Sequence, residues 1–254
     1  MNNGAKGDGV TDDSDPIQRA IDQMAGEGGG IVYLPAGTYM ISGLKLYDRI
    51  VLLGQGRDIT RLVYNGKPTP VPAEEAGSRD LIGGKKSLIH SWPSKLIYSE
   101  ASEVGLARLT IESHVKRPDE DQSRRIAGYM AMVYFTGERV RGNDQAVPEV
   151  RGLFLKDVRL QADDGCGAVI RATSDVIVED CDIDVTHGPL ELHVREGYQR
   201  VRNNVFTNTQ RPGINGVDDR AWIEGNTLIG RPIAQPSGTP DDRGTSEHRV
   251  MDIG

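Results

Sequence analysis

Aromatic side chains are scarce in this chain: Phe, Trp and Tyr together make 5% of its 254 residues. Cysteine is scarcer, with Cys166 and Cys181 alone, and their spacing forms no metal-ligand pattern. No apolar run approaches the roughly 20 residues that a membrane span needs. Met1-Asn-Asn-Gly has neither the basic head nor the apolar core of a signal peptide, although a trimmed start would leave secretion open. Positive charge is in the minority, 30 Lys and Arg against 37 Asp and Glu, for a net charge of −7. These absences argue against a membrane partner and against nucleic acid, whose phosphates demand a basic surface. They leave a sugar polymer open, because local basic residues decide whether an anionic chain binds. What is abundant is glycine, 31 residues, beside a modest 37% of hydrophobic residues. That balance describes a thin aliphatic core interrupted by many turns.

The aliphatic residues are periodic. Four segments overlay without gaps: Leu155-Lys-Asp-Val158-Arg-Leu160, Val178-Glu-Asp-Cys181-Asp-Ile183, Val201-Arg-Asn-Asn204-Val-Phe206 and Ile223-Glu-Gly-Asn226-Thr-Leu228. Their starts are 23, 23 and 22 residues apart. A fixed period of that size marks a solenoid. Leucine-rich repeats share it, but these segments are β-branched and rich in Asp, Asn and Gly, lack an L-x-x-L-x-L pattern and are not separated by helices. A parallel β-helix fits: each repeat is one coil of about three short strands, and coils stack at about 4.8 Å. The register predicts two inward columns, Leu155/Val178/Val201/Ile223 and Leu160/Ile183/Phe206/Leu228. Between them Val158, Cys181, Asn204 and Asn226 lie at a bend, where the two asparagines can pair their amides along the axis. Cys181 is then a buried free thiol.

Upstream, the chain reads as a cap followed by interrupted coils. Gly4 to Asp13 is a turn-rich lead-in. Ser14 or Asp15 can cap a helix that takes Pro16 in its first turn, with Ile17, Ala20, Ile21 and Met24 on one face. Gly26 to Gly30 ends it, and Ile31 to Ile41 makes two short strands around Pro35-Ala-Gly37. The first coil of a solenoid exposes an open core, so a helix laid across it is the expected cap. Asn65 to Gly84 leaves the coil, and Ser87 to His90 and Lys95 to Tyr98 rejoin it. Leu106-Ala-Arg-Leu109-Thr-Ile111 fits the repeat again, and the 49 residues from Leu106 to Leu155 amount to about two coils plus an insertion. Gly128 to Phe135 is a strand between the polar loops His114 to Arg125 and Gly137 to Pro148. Loops of that length usually carry function, here as walls of a groove. Gly230 to Gly244 is rich in Pro and Gly, and no capping helix follows.

The N-terminal text carries a family resemblance. Gly4-Ala-x-Gly-Asp-Gly-x-x-Asp12-Asp13, the Ile17-x-x-Ala-Ile-Asp22 helix and Gly28-Gly-Gly-x-Val32-Tyr-Leu-Pro-Ala-Gly-Thr-Tyr39, continued through Ile50 to Arg57 and Thr60 to Val63, resemble the N-terminal cap of the pectate lyase superfamily of β-helices. That superfamily includes polygalacturonase-like glycoside hydrolases, lyases, epimerases and phage tailspike depolymerases. The resemblance implies the fold and a carbohydrate substrate. The strand that usually precedes the family's cap is absent from this reading.

Chemistry-bearing residues fall where coils come into register. Asp163-Asp-Gly-Cys166, shifted by 23 residues, meets Thr186-His-Gly188, which brings Asp164 and His187 about 5 Å apart. This resembles the Asp-Asp-Cys and Gly-His-Gly pair of the polygalacturonase-like family, which implies Asp163 and Asp164 as acid and base and His187 as the modulator of their protons. That family's Asn-Thr-Asp and Arg-Ile-Lys are not present, and the coil matching the latter reads Gly213-Ile-Asn-Gly. The same residues also read as ordinary turns, which Asp and Gly favour. A second cluster is Glu191, His193 and Arg195, placed on one strand face by alternation. Arg171 falls on the coil before, beside Arg195, where paired guanidiniums could grip sugar carboxylates. A solvated salt-bridge face is the alternative. Asp180, Asp182 and Asp184 point outward, where a lyase could hold Ca²⁺. Arg159 stacks on Asp182 and would neutralise it, so no metal site is assigned. Trp92, Tyr129, Tyr134 and the outward Trp222 are candidate platforms for sugar rings.

The reading is therefore an all-β, right-handed parallel β-helix (a solenoid) with an N-terminal capping α-helix, in one domain over residues 1–254. The cap takes 1–30, the coils 31–229 with insertions at 64–100 and 114–148, and an irregular tail 230–254. It predicts a carbohydrate-active enzyme that cleaves a polysaccharide by hydrolysis. Asp163, Asp164 and His187 are catalytic, Arg171, Glu191, His193, Arg195 and Trp222 bind substrate, and no cofactor is needed. The alternatives are a lyase or epimerase on uronic-acid polymers, where Ca²⁺ would enter, and a non-catalytic carbohydrate-binding or tailspike-like structural domain. A secreted or virion-associated location suits all three, and monomer and homotrimer both remain open.

Overall fold

The structure is a computed structural model that describes residues 4–67, 81–82, 85–86, 95–115, 131–137, 149–186, 188–208, 214–215 and 220–230. The lead-in holds a strand, β1 (Asp8–Asp12), followed by α1 (Ser14–Gly26). The first coil is β2 (Gly30–Leu34), β3 (Gly37–Ile41) and β4 (Leu44–Leu46). The second is β5 (Ile50–Gly54), β6 (Thr60–Tyr64) and, beyond a two-stranded antiparallel pair of β7 (Leu81–Ile82) and β8 (Lys85–Lys86), β9 (Lys95–Ser99). The third is β10 (Gly105–Ser113) and β11 (Ala131–Thr136), and the fourth β12 (Arg151–Ala162) and β13 (Cys166–Ala172). The fifth is β14 (Ser174–Glu179), β15 (Asp182–Val185) and β16 (Leu190–Val194). The sixth is β17 (Gln199–Arg202), β18 (Val205–Asn208) and β19 (Ile214–Asn215), and the last is β20 (Ala221–Glu224) and β21 (Thr227–Gly230).

Coil-to-coil pairing is parallel throughout and forms three ladders. The first runs β2-β5-β10-β12-β14-β17-β20, the second β1-β3-β6-β10-β12-β15-β18-β21, and the third β4-β9-β11-β13-β16-β19. β10 and β12 belong to two ladders because each bends in the middle without breaking. Arg108 and Asp157 make those bends in the left-handed backbone region, at φ 56° and 53°. Asp180, Asn203 and Gly225 hold the matching corner in later coils. Asn, Asp and Gly tolerate that region, whereas Arg108 takes it at a cost of about 1–2 kcal/mol, which the stacked coils on either side must offset.

The predicted columns pile up as the spacing requires and extend further. Val32, Leu52, Leu106, Leu155, Val178, Val201 and Ile223 are successive register partners in the first ladder. Tyr39, Leu62, Ile111, Leu160, Ile183, Phe206 and Leu228 are partners in the second. Nearly all are buried, each burial being worth about 1.5–3 kcal/mol. Leu228 departs from the expectation at 44% exposure, in the last described coil. The asparagine ladder is present at the bend. Asn204 Nδ2 donates to Asn226 Oδ1 at 2.9 Å, and Asn204 Oδ1 accepts the Cys181 amide at 2.8 Å. Burial pushes the Cys181 thiol up to about 12, so it stays protonated and inert at neutral pH.

Three expectations need correction. Leu106 and Leu155 are direct neighbours, so the intervening 49 residues are one coil with its insertion, not two. The lead-in is not only turns: β1 pairs with β3 and supplies the strand before the helix. The residue before the helix is Asp13, not Ser14 or Asp15, and its carboxylate accepts the Lys6 and Gly7 amides at 2.8 and 3.0 Å in place of a helix amide. α1 buries Ile17 and Ile21 and touches β2 and β4. The predicted strand Ser87 to His90 and the tail from residue 231 lie outside the described residues.

Candidate functional site

Asp163, Asp164 and Gly165 form the corner where the second ladder turns into the third, between the end of β12 and the start of β13. The corner is tied to the coils on both sides. The Asp163 amide donates to the Ser113 carbonyl at 3.0 Å, and the Gly165 amide donates to Thr186 Oγ1 at 3.1 Å. Thr186 therefore stands one coil beyond Asp163, where the 23-residue shift put it. His187, the next residue and the expected modulator, lies outside the described residues.

On the other side stands a histidine that the sequence reading left in a loop. Ser113 pairs with Ala162, so His114 comes level with Asp163, its Nδ1 3.7 Å from Asp163 Oδ1. His114 Nε2 lies 3.2 Å from Glu112 Oε2. Arg61, from the coil before, grips both oxygens of Glu112, with Nε on Oε1 at 2.8 Å and Nη2 on Oε2 at 2.6 Å. Glu112 is only 4% exposed. Burial alone would raise its pKa, but the hydrogen bonds from Arg61 and His114 outweigh it and hold the carboxyl below its ordinary value. The signal was available: the same 49-residue step that joins Leu106 to Leu155 joins His114 to Asp163.

The third ladder carries the second cluster. Glu191 and His193 point outward between buried Leu190, Leu192 and Val194, as alternation predicted. Arg171 is level with His193, not Arg195, and donates from Nη2 to Glu191 Oε1 at 3.1 Å. His193 Nε2 sits 3.0 Å from the same oxygen. Burial pushes the Glu191 pKa up, and Arg171 and His193 together bring it below its ordinary value. Arg195 follows β16, is exposed, and lies two residues along the chain from His193, the register partner of Arg171. Val169, Tyr134, Tyr98 and Lys45 continue the Glu191 row toward the first coil. The Tyr98 and Tyr134 rings are 6.3 Å apart, and Lys95 Nζ lies 4.2 and 4.5 Å from their centres. Sequence reasoning picked out Tyr134 but not Tyr98 or the lysines, whose strands are separated by insertions of irregular length.

The remaining candidates do not converge. Trp222 is 48% exposed but belongs to the first ladder, beyond Arg200, away from the Glu191 row. Arg159 takes the Asp182 carboxylate at 3.1 Å and Asp58 at 2.8 Å, so Asp182 stands in an ion pair. Among the described residues no group of three or more His, Cys, Asp or Glu could hold a metal, and no helix is long and apolar enough to cross a membrane. Asp163 and the Arg171–Glu191–His193 group also stand apart: five residue steps of β13 separate Cys166 from Arg171, about 17 Å of extended chain. They are two stations on one strip, at the edge and on the floor of the third ladder.

Coils of this architecture, with an N-terminal segment of this text, define a class. Residues 1–73 match the family model described as "Rhamnogalacturonase A/epimerase, pectate lyase-like", so the N-terminal segment is similar to that family and the coils that follow form a parallel β-helix. It is 47% identical over 70 residues to "Alginate lyase 7" of Azotobacter vinelandii, a match over 24% of this chain and 8% of that enzyme. The chain thus spans well under two thirds of the curated relatives it matches. The "Mannuronan C-5 epimerase AlgE6 A-module" of the same organism superposes with a TM-score of 0.56 at 20% identity, over 89% of this chain and 61% of that one. A "putative glycosyl hydrolase" of Parabacteroides merdae superposes equally, TM-score 0.56 at 15% identity, over 89% of this chain and 94% of that one. At those identities the superpositions speak for the fold alone.

Proposed function

We propose that the protein is a carbohydrate-active enzyme that cleaves an acidic, uronate-bearing polysaccharide. Asp163 gives a proton to the glycosidic oxygen, and the third ladder is the floor on which the polymer lies. The observation that carries this reading is the juxtaposition of an acidic corner with the third ladder, which carries Lys45, Lys95, Tyr134 and Arg171, with Tyr98 packed beneath Lys95. Cations on such a floor favour sugar carboxylates, and the Tyr134 edge suits sugar rings. In hydrolysis, Asp164 or a neighbouring group would activate water on the opposite side of the bond.

Elimination is the second reading, favoured by the resemblance of the N-terminal segment to an alginate lyase. There a base removes the proton next to the uronate carboxyl, the C4–O bond breaks, a C4–C5 double bond forms and the leaving oxygen takes the proton from Asp163. An epimerase returns the proton to the opposite face and breaks no bond. Incubation with a panel of uronate polymers separates them. New reducing ends alone indicate hydrolysis, the absorbance of an unsaturated product indicates elimination, and deuterium uptake at C5 without chain shortening indicates epimerisation. Binding without any of these would overturn the enzyme reading in favour of a carbohydrate-binding domain.

A further inference from the structure

The group formed by Arg61, Glu112 and His114 belongs to no motif, yet it ends on Asp163. Arg61 presents both nitrogens of one fork to Glu112, fixing the plane of that carboxylate. Oε2 then lies 3.2 Å from His114 Nε2. An ionised carboxylate can only accept, so Nε2 is the donor in that contact. Nδ1 faces Asp163 Oδ1 at 3.7 Å. That contact is too long for a hydrogen bond, and in the neutral imidazole it sets a lone pair against a carboxylate, unless one proton is held between the two groups. Among the described residues, the charged groups facing the imidazole are Glu112 on its own strand, Arg61 behind Glu112, and Asp163 from the next coil.

We infer that His114 is the positioning residue for Asp163, held by Glu112 and Arg61 in the Nε2–H tautomer so that Nδ1 shares and orients the Asp163 proton. This rests on the reading of Asp163 as proton donor. The imidazole touches no reacting atom: Nδ1 faces the protonated Asp163 carboxyl and orients it, Asp163 gives that one proton to the leaving oxygen, and water resupplies it afterwards.

Two measurements test it. Imidazole ¹⁵N spectra of the full chain, with His114 assigned by its loss in His114→Gln, should show Nε2–H in the neutral form, and a dominant Nδ1–H form would overturn the inference. These spectra decide the matter even if no polymer is turned over, an outcome that would remove the enzymatic reading and leave the tautomer intact. On an active polymer, His114→Gln should lower kcat about 10²-fold, leave KM within twofold and displace the pH–rate limb set by Asp163. Added to Asp163→Asn it should cause no further loss. An unchanged pH profile, or a full additional loss in the double variant, would show that His114 acts only on structure.

Discussion

The chain contains the same short device twice, Glu112-Ser-His114 and Glu191-Leu-His193. In each, alternation turns Glu and His outward together, an arginine from the preceding coil binds the Glu, and the His closes on the same oxygen. The surroundings differ. Arg61 engages both oxygens of Glu112 and the His faces Asp163, whereas Arg171 and His193 both meet Glu191 Oε1, on the third ladder. The Glu112 side chain is 5% exposed and that of Glu191 27%. Local text therefore does not decide the role of the motif. What differs is what the neighbouring coils deliver: the next coil sets the Asp163 carboxylate beside His114, whereas the earlier coils set Tyr134, Tyr98 and Lys45 in the row of Glu191, and on the proposed reading the first is a proton-handling station and the second a binding station.

That contrast can be broken most sharply at Asp163. Asp163→Asn should lower kcat by about 10²–10⁴-fold, with unaltered circular dichroism and with Asp182→Asn as an unaffected control. A larger kcat loss from Glu191→Gln would reverse the two roles. A control inside the coil comes next. Asn204→Ala leaves the Cys181 amide and the Val178 carbonyl without their side-chain partners, and should lower stability by about 1–3 kcal/mol, read as a lower urea midpoint at constant slope. If outward clamps held the fold as firmly as the inward ladder, Arg159→Ala would match it, but exposed ion pairs contribute about 0–1 kcal/mol.

The binding station is probed by Arg171→Ala, expected to raise KM for an acidic polymer about tenfold, the equivalent of roughly 1.4 kcal/mol, with kcat little changed. A kcat loss instead would place chemistry on the floor of the ladder. The smallest effect is on acid stability. Glu112 and Glu191 both have carboxyl pKa values lowered in the folded protein. The unfolded chain then binds more protons as pH falls through about 4.3. Their contribution is present above that pH and lost as the pH drops through the folded values. Glu112→Gln should flatten the stability profile below about pH 4.3, and Glu191→Gln should flatten it less, because its carboxylate is more exposed to water. Equal flattening would mean that the two clamps are energetically alike.

Much of this was legible before any coordinates. Constant offsets of 22 and 23 residues placed the inward columns, the Asn204–Asn226 contact and the Arg159–Asp182 pair, and alternation placed Glu191 and His193 on the outward face. The inference failed where the offset changed. The 49-residue step hid one coil behind the apparent length of two, and with it the meeting of His114 and Asp163. Arg171 was matched to Arg195 by a shift that does not hold across the third ladder, where Arg171 is level with His193, an offset of 22. Trp222 was read as outward correctly, but outward on a ladder that the Glu191 row does not share.

The sequence by itself determined the period, the parity of each strand and therefore which side chains face the core, because strand geometry repeats every two residues and stacking repeats every coil. Only the tertiary structure decided which coil follows which across an insertion and which ladder each outward side chain joins. A loop can lengthen by any number of residues while its ends return to the same hydrogen-bond register, so chain distance ceases to measure spatial distance at the positions where the site is built.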